Sequence, residues 1–198
     1  MKTLKTAGQG FSLVELMLAM ALGLVVLAAM YGVFTLQNKT FSNQEQIVEM
    51  QQNVRAAMNI MTRELRMAGY DPTGLAAAGI TQAGADSITF TLDVTNDAGT
   101  GPPDGDTGDP NECVTYGIYA VEGMQKLGRK STYNATWQPI CENIESLHLT
   151  YGSGNKAITV TITGKTPQLD PRYTDPTYGD HYRRYTLTSQ VTARNLMY

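Results

Sequence analysis

The stretch GQGFSLVELMLAM, residues 8–20, decides the fold of this chain. It opens a run of 26 residues, 11–36, in which Glu15 is the only charged side chain. About 20 consecutive apolar residues are enough to cross the hydrocarbon core of a bilayer. The run therefore predicts a membrane-spanning helix, although a carboxylate within such a helix costs about 2.5–3.5 kcal/mol on insertion.

Residues 1–10 form a short leader whose positive charges are Lys2 and Lys5. A secretory signal peptide could be cut near Ala19-Met20-Ala21, but the new terminus would then remain strongly apolar as far as Leu36. An uncleaved membrane anchor is a second interpretation, and it leaves Glu15 unexplained. The positive charges favour a cytoplasmic amino terminus in either case.

Cleavage after Gly10 is a third interpretation, and it accounts for the carboxylate. Phe11 would then carry an α-amine, and Glu15 lies four residues later, one helical turn away. The carboxylate could pair with its own amine or with that of a neighbouring copy. Parallel helices packed with an axial offset favour the neighbouring copy.

The sequence Gly10-Phe11-Ser12-Leu13-Val14-Glu15-Leu16 resembles the class III signal of type IV pilins and type II secretion pseudopilins. The resemblance implies that a prepilin peptidase cuts after Gly10 and methylates the new terminal Phe11. It also implies that Glu15 is the carboxylate that guides assembly and sets the axial register.

The helix is expected to continue far beyond the membrane. No proline occurs between Phe11 and Tyr70, and Gly69 with Pro72 gives a stop signal. The chain therefore predicts one helix over residues 11–68. Apolar residues recur at spacings of three and four, which predicts an amphipathic second half: Ile47, Met50, Val54, Met58, Met61 and Leu65. The methionines at this spacing fit core packing better than a cofactor site.

Alternating apolar and polar residues predict strands after Asp86. The five predicted strands are 87–95, 114–121, 144–151, 157–163 and 185–191, with a hairpin turn at 152–155. The expected fold class is α+β, with a long helix packed on an antiparallel sheet of about five strands, and the pilin resemblance implies the same fold. The expected segments are a leader (1–10), a transmembrane or filament-core helix (11–36), an amphipathic half-helix (37–69) and a head (70–198).

The two cysteines, Cys113 and Cys141, both lie in the predicted head. An even pair outside a membrane anchor predicts one disulfide in an oxidising compartment, and two buried thiols are the alternative.

Two loops do not follow the strand pattern. Residues 96–112 are rich in Gly, Pro and acids, and Asp104, Asp106 and Asp109 are spaced closely enough to suggest a calcium loop, although a solvated loop is the simpler interpretation. Residues 166–184 hold the motif Asp-Pro-x-Tyr twice, at 170–173 and 175–178. This aromatic repeat suits either a contact surface or an ordered connecting loop.

The stretches 63–70, 141–147 and 184–195 are similar to PilW-type minor pilins and, more distantly, to J-type minor pseudopilins of type II secretion. The resemblance implies a structural subunit that helps initiate pilus assembly and is located at the pilus tip. The implied partners are other major and minor pilins, the prepilin peptidase and the inner-membrane assembly platform. A minor pseudopilin and a membrane-anchored adhesin remain alternatives.

Composition argues against other classes of function. The net charge is −3 and no basic stripe occurs, so no nucleic-acid contact is predicted. The two histidines, His148 and His181, lack metal-ligand spacing with each other or with a cysteine. No enzyme activity and no cofactor are predicted. The expected location is the inner membrane with a periplasmic head before assembly, and the pilus surface afterwards.

Overall fold

A computed structural model describes residues 10–131, 135–152 and 156–196. One long helix, α1, runs from Leu13 to Leu65. It ends in a turn at Gly69, whose backbone has φ +78°. This positive φ favours glycine, and a Cβ atom there would approach Leu196 Cδ2 to 2.6 Å, so the leucine side chain would have to shift. The helix predicted over residues 11–68 agrees with the observed α1 to within three residues at each end.

The chain divides into two compact units, and the division falls inside α1, between Glu45 and Gln46. In the first unit, residues 13–30 of the helix are all exposed. This part of α1 is long and apolar enough to cross a membrane. The second unit, which begins at Gln46, contains the rest of the helix and all of the described strands.

The second unit holds two antiparallel sheets rather than the single sheet that the sequence predicted. One sheet has the strand order β1-β2-β3-β4-β5, and the other has the order β6-β7-β8. The strands are β1 (Ile80–Ala83), β2 (Ser87–Thr91), β3 (Cys113–Val121), β4 (Met124–Ser131), β5 (Gln138–Glu142), β6 (Ile144–Tyr151), β7 (Ala157–Lys165) and β8 (Arg184–Thr192).

The prediction of about five strands was too low, because β1, β4 and β5 lack clear alternation. β1 is a four-residue strand without a buried residue, and β4 has the composition MQKLGRKS, with charged side chains. Pairing with β3 makes β4 a strand despite this composition. The five predicted strands correspond to β2, β3, β6, β7 and β8. β6 and β7 pair antiparallel as predicted for a hairpin, although residues 153–155 lie outside the described residues.

The apolar stripe of α1 forms part of the core of the second unit. Met50, Val54, Met58, Met61 and Leu65 are buried, as predicted, and Ile47 is half-buried. The sheets contribute further buried side chains to this core: Ile88, Phe90, Val114, Tyr116, Leu127, Ile144, Leu149, Ile158, Val160, Ile162 and Val191.

Two contacts fix the helix against the sheets. Gly164 in β7 lies so close to α1 that a Cβ atom would approach Val54 Cγ2 to 2.6 Å. The carboxylate of Glu64 accepts hydrogen bonds from Tyr116 Oη at 2.8 Å and from Arg129 Nε at 3.0 Å. Burial and the neighbouring Glu64 raise the pKa of the Tyr116 hydroxyl, so this side chain remains a hydrogen-bond donor at neutral pH.

Candidate functional site

The predicted cleavage site lies in an exposed segment ahead of the helix. Gly10, Phe11 and Ser12 have no regular secondary structure, and α1 begins at Leu13. The Phe11 side chain is 87% exposed. Among the described residues, no atom beyond the chain neighbours lies within 4 Å of a Cβ built at Gly10. Gly10 and Phe11 are therefore both exposed in the part of the chain that the structure describes.

Glu15 caps the first turn of α1. Its carboxylate Oε2 accepts a hydrogen bond from Ser12 N at 3.1 Å, and its own backbone N–H donates to Ser12 Oγ at 3.2 Å. This reciprocal arrangement is a capping box, which satisfies amides that a helix start leaves without intrahelical partners. Among the described residues, no donor reaches the second carboxylate oxygen, Oε1.

An apolar surface surrounds Glu15. The exposed side chains on this part of α1 are aliphatic or aromatic, and they include Leu13, Val14, Leu16, Met17, Leu18, Met20, Leu22 and Leu24. Such a surface is stable only in lipid or against other apolar helices. A carboxylate in such surroundings is costly and is normally paired with a charge or a backbone group.

The acidic loop, residues 93–112, joins β2 to β3 and brings several carboxylates together. Oxygen atoms of Asp97, Asp104 and Asp109 lie within 4.8 Å of one another, and so do those of Asp106, Asp109 and Glu112. The predicted calcium candidates Asp104, Asp106 and Asp109 thus belong to this cluster, and Asp109 is common to both groups. Sequence spacing did not identify Asp97 and Glu112 as members.

Asp109 is a buried member of this cluster, and one of its carboxylate oxygens lacks a hydrogen-bond partner among the described residues. The residue is only 5% exposed, and its Oδ2 has no hydrogen-bond partner among the described residues. Burial and the charges of Asp104, Asp106, Glu112 and Asp97 raise the pKa of the Asp109 carboxyl to about 6.

Glu112 and Asp93 tie the acidic loop to the sheet. Glu112 is fully buried, and its Oε1 accepts from Val94 N and Thr95 N at 2.8 Å each. Asp93 is fully buried as well, and its Oδ2 accepts from Gly105 N at 3.1 Å. These bonds hold both ends of the loop in place.

The repeated Asp-Pro-x-Tyr loop is an ordered connection between β7 and β8. In the first repeat, Asp170 Oδ2 accepts from Arg183 Nε at 2.9 Å, and the Arg183 guanidinium lies 4.4 Å from the centre of the Tyr173 ring. The Asp and Tyr of this repeat therefore share one arginine.

The Asp and Tyr of the second repeat contact Arg184 in the same way. Its guanidinium lies 3.9 Å from the Tyr178 ring centre and binds Asp175 at 3.2 Å. It also binds both oxygens of Asp180 at 2.7 Å. The bonds from Arg184 hold the pKa of Asp180 at about 2, and the Thr177 N–H and Arg184 lower that of Asp175. The tyrosines thus support the loop itself.

The structure does not bring together Cys113 and Cys141, for which a disulfide was predicted, because β4 lies between the strands that carry them. Two strand spacings amount to about 10 Å, whereas the Cα atoms of a disulfide lie within about 7 Å. The strand register separates the two cysteines further. Val114, next to Cys113, pairs with Ser131 of β4, whereas Cys141 pairs with Leu127, at a different position along β4. Cys141 is a buried thiol that donates to Glu142 O at 3.4 Å, and burial raises its pKa to about 11.

The two histidines occupy unrelated surface positions. His148 is exposed on β6, and His181 is exposed in the loop before β8, where its Nδ1 lies 2.5 Å from Tyr173 O. Neither belongs to a group of metal-ligating side chains among the described residues.

Two family models match this chain. The family model of prepilin peptidase-dependent protein B matches residues 43–192, and that of the prokaryotic N-terminal methylation motif matches residues 6–31. No curated protein matches the chain. Among solved structures, a type IV-like pilin from Thermus thermophilus is similar at 13% identity and a TM-score of 0.45, over 74% of this chain and 97% of that chain.

A methylation motif that leads into a long helix, followed by antiparallel sheets, defines a type IV pilin-like protein. The chain belongs to the family of prepilin peptidase-dependent protein B, whose model covers most of its length. The resemblance to type IV pilins in the sequence is thereby confirmed.

Ser12 is a residue of the amino-terminal site whose capping role was not predicted. The pattern Ser-x-x-Glu at 12–15, just before an apolar run, is the usual sequence signal of a capping box. This signal could have identified the Ser12–Glu15 pair from the sequence alone.

Proposed function

We propose that this protein is a minor type IV pilin, a structural subunit that helps initiate pilus assembly and is located at the pilus tip. The observation that carries the proposal is the position of Glu15 within an exposed apolar helix, one turn after the accessible Gly10–Phe11 bond. Capping of the first turn uses Oε2 of this carboxylate even in a lone subunit, whereas Oε1 gains a partner only when another group supplies one.

Processing supplies the partner of Glu15. Prepilin peptidase hydrolyses the Gly10–Phe11 peptide bond, which leaves a carboxylate on Gly10 and an α-amine on Phe11, and the amine is then methylated. The methylated amine keeps its positive charge. In the assembled filament it pairs with Glu15 of a neighbouring subunit, and Oε1 is available for this contact.

Burial between apolar helices makes this pair selective. Breaking a buried ion pair by removing one partner costs about 3–5 kcal/mol, because the remaining charge has no compensation. A subunit placed in the wrong axial register would likewise leave the Glu15 carboxylate buried without its partner. The pair therefore sets the register of the incoming subunit.

The segments then have separate tasks. Residues 11–36 anchor the precursor in the inner membrane and later lie in the filament core, residues 37–69 support the head, and residues 70–198 form the periplasmic head. Lys2 and Lys5, which lie outside the described residues, keep the leader cytoplasmic. The partners are major and minor pilins, the prepilin peptidase and the inner-membrane assembly platform.

The loops of the head favour a position of this subunit at the end of the filament rather than along its shaft. Besides its sheets it carries the acidic loop and the Asp-Pro-x-Tyr loop. Long loops of this kind crowd a tightly packed shaft, but they fit at an end where one side is open. Antibody labelling of sheared pili tests this assignment: we expect label at one end only, and regular label along the shaft would contradict it.

Incorporation of a Glu15→Gln variant tests the assembly role. We expect normal membrane insertion and cleavage, but at least tenfold less of the variant in the sheared pilus fraction, because the amide cannot neutralise an ammonium. The matched control is Glu45→Gln, which removes an exposed carboxylate from the same helix. Normal recovery of Glu15→Gln in pili would overturn the proposed pairing.

A further inference from the structure

The acidic loop concentrates negative charge without a compensating cation. Residues 93–112 contain six acidic side chains and no Lys, Arg or His. The ion pairs found among the described residues all lie elsewhere, on strands β4 to β8, near the end of α1 and in the Asp-Pro-x-Tyr loop. Like charges at such short distances destabilise the folded loop unless something neutralises them.

Each of two groups of carboxylates is compact enough to hold an ion. Asp109 belongs to both groups of carboxylates, with Asp97 and Asp104 in one and with Asp106 and Glu112 in the other. Within each group the ligand atoms lie within 4.8 Å of one another. Two oxygens that bind the same Ca²⁺ at 2.3–2.6 Å can lie up to about 5 Å apart, so little movement is needed.

A second, independent observation points to a ligand. Asp109 is 5% exposed, and its Oδ2 has no hydrogen-bond partner among the described residues. A buried carboxylate oxygen without a partner carries a desolvation cost that a hydrogen bond or a cation normally offsets. Because Asp109 belongs to both groups of acids, a cation in the cluster would offset the cost of burying its carboxylate.

The chemistry of the donors selects a hard cation. All five side chains offer carboxylate oxygens, and neither sulfur nor imidazole is present in the loop, which disfavours zinc and copper. Magnesium requires oxygens at about 2.0–2.1 Å in near-octahedral geometry, so the cluster would have to contract. Calcium accepts six to eight oxygens at longer distances in flexible geometry.

We propose that the acidic loop binds one Ca²⁺ ion, with Asp109 as its central ligand and with Asp97, Asp104, Asp106 and Glu112 around it. Glu112 connects the ion to the sheet, since its Oε1 is bonded to Val94 N and Thr95 N. Binding therefore fixes the exposed part of the loop against the β2–β3 end of the head. This inference does not depend on the proposed role in pilus assembly.

Calcium titration of the full-length protein in detergent tests the site. In chelator-treated buffer, calorimetry should show one Ca²⁺ per chain with a Kd below about 1 mM, the range of extracellular calcium modules. Mg²⁺ should bind at least tenfold more weakly. Thermal unfolding should shift to higher temperature with CaCl2. Absence of calcium heat and of any shift up to about 10 mM would overturn the proposal, as would equal affinity for Mg²⁺.

Variants distinguish calcium binding at this site from a non-specific effect of acidic side chains. Asp109→Asn keeps the shape of the side chain, and it should weaken calcium binding at least tenfold and abolish the calcium-dependent shift. The matched control is Asp86→Asn, an exposed acid outside the loop, which should bind like wild type. If Asp109→Asn does not fold, the double variant Asp104→Asn/Asp106→Asn, which changes two exposed ligands, should show the same loss. Wild-type affinity in the folded site variant would overturn the proposal.

Discussion

Ser12 and Glu15 cap each other at the start of α1, with Glu15 Oε2 accepting from Ser12 N at 3.1 Å and Glu15 N donating to Ser12 Oγ at 3.2 Å. The carboxylate therefore has a local structural task before any neighbouring subunit is present. Capping uses one oxygen, and the pairing that we propose uses the other. Glu15 can thus order the first helical turn and still receive an ammonium.

Ser12→Ala should loosen the first turn of α1. Loss of such a cap typically costs about 0.5–2 kcal/mol of helix stability. Amide hydrogen exchange of the protein in detergent should therefore be faster at Glu15 in Ser12→Ala than in wild type. Ser12→Thr retains the hydroxyl and should exchange like wild type. Equal protection of all three proteins would contradict the capping arrangement.

Gly164→Ala should destabilise the head, because the added Cβ would lie 2.6 Å from Val54 Cγ2. Overpacking of this kind costs about 1–3 kcal/mol. Denaturant unfolding of Val54→Ala, Gly164→Ala and the double variant measures the coupling between the two positions. The glycine substitution should cost clearly less in the Val54→Ala background, and an unchanged cost would show that the contact is not tight.

Acid should weaken the contribution of Arg184 to stability. Asp175 and Asp180 have lowered pKa values in the folded protein, so they stabilise it fully above their unfolded pKa of about 3.9. That contribution is lost as the pH falls through the folded values, toward about 2 for Asp180. The difference in Tm between wild type and Arg184→Gln should therefore be largest near pH 6–7.

The difference in Tm between wild type and Arg184→Gln should shrink between about pH 5 and pH 2, the range over which Asp175 and Asp180 become protonated. The raised pKa of Asp109 works in the opposite direction, since its protonation below about 6 stabilises the fold. Both proteins contain Asp109, so the comparison cancels its effect. A Tm difference that stays constant down to pH 2 would show that Arg184 acts through packing on Tyr178 rather than through its charge.

Digestion of the exported protein without reductant should yield no peptide that links Cys113 to Cys141. The reason is the position of β4 between β3 and β5, which keeps the two Cα atoms too far apart for a disulfide. Mass spectrometry of the digest provides the measurement. A linked peptide at full occupancy would contradict the strand order of the larger sheet.

The sequence was sufficient for the helix and for the strands with strong alternation. The spacing of Met50, Val54 and Met61 predicted which face of α1 is buried. The division into two sheets was not predictable, because β4 and β5 owe their structure to pairing rather than to apolar alternation. The same pairing separates the cysteines, whose sequence pattern alone favoured a disulfide.

The two loops show a similar limit. Close spacing identified Asp104, Asp106 and Asp109, but only the folded loop shows that Asp97 and Glu112 join them and that Asp109 is buried. In the Asp-Pro-x-Tyr loop, composition could not tell whether the tyrosines serve a partner or the loop. Their stacking against Arg183 and Arg184 is a contact of the folded loop that composition does not specify.

The most direct test of the central claim is mass analysis of the amino terminus of the protein recovered from membranes and pili. The account predicts a chain that begins at Phe11 with a methylated α-amine, and a Gly10→Ala variant that remains largely uncut. A functional protein that retains residues 1–10, or normal processing of Gly10→Ala, would contradict it.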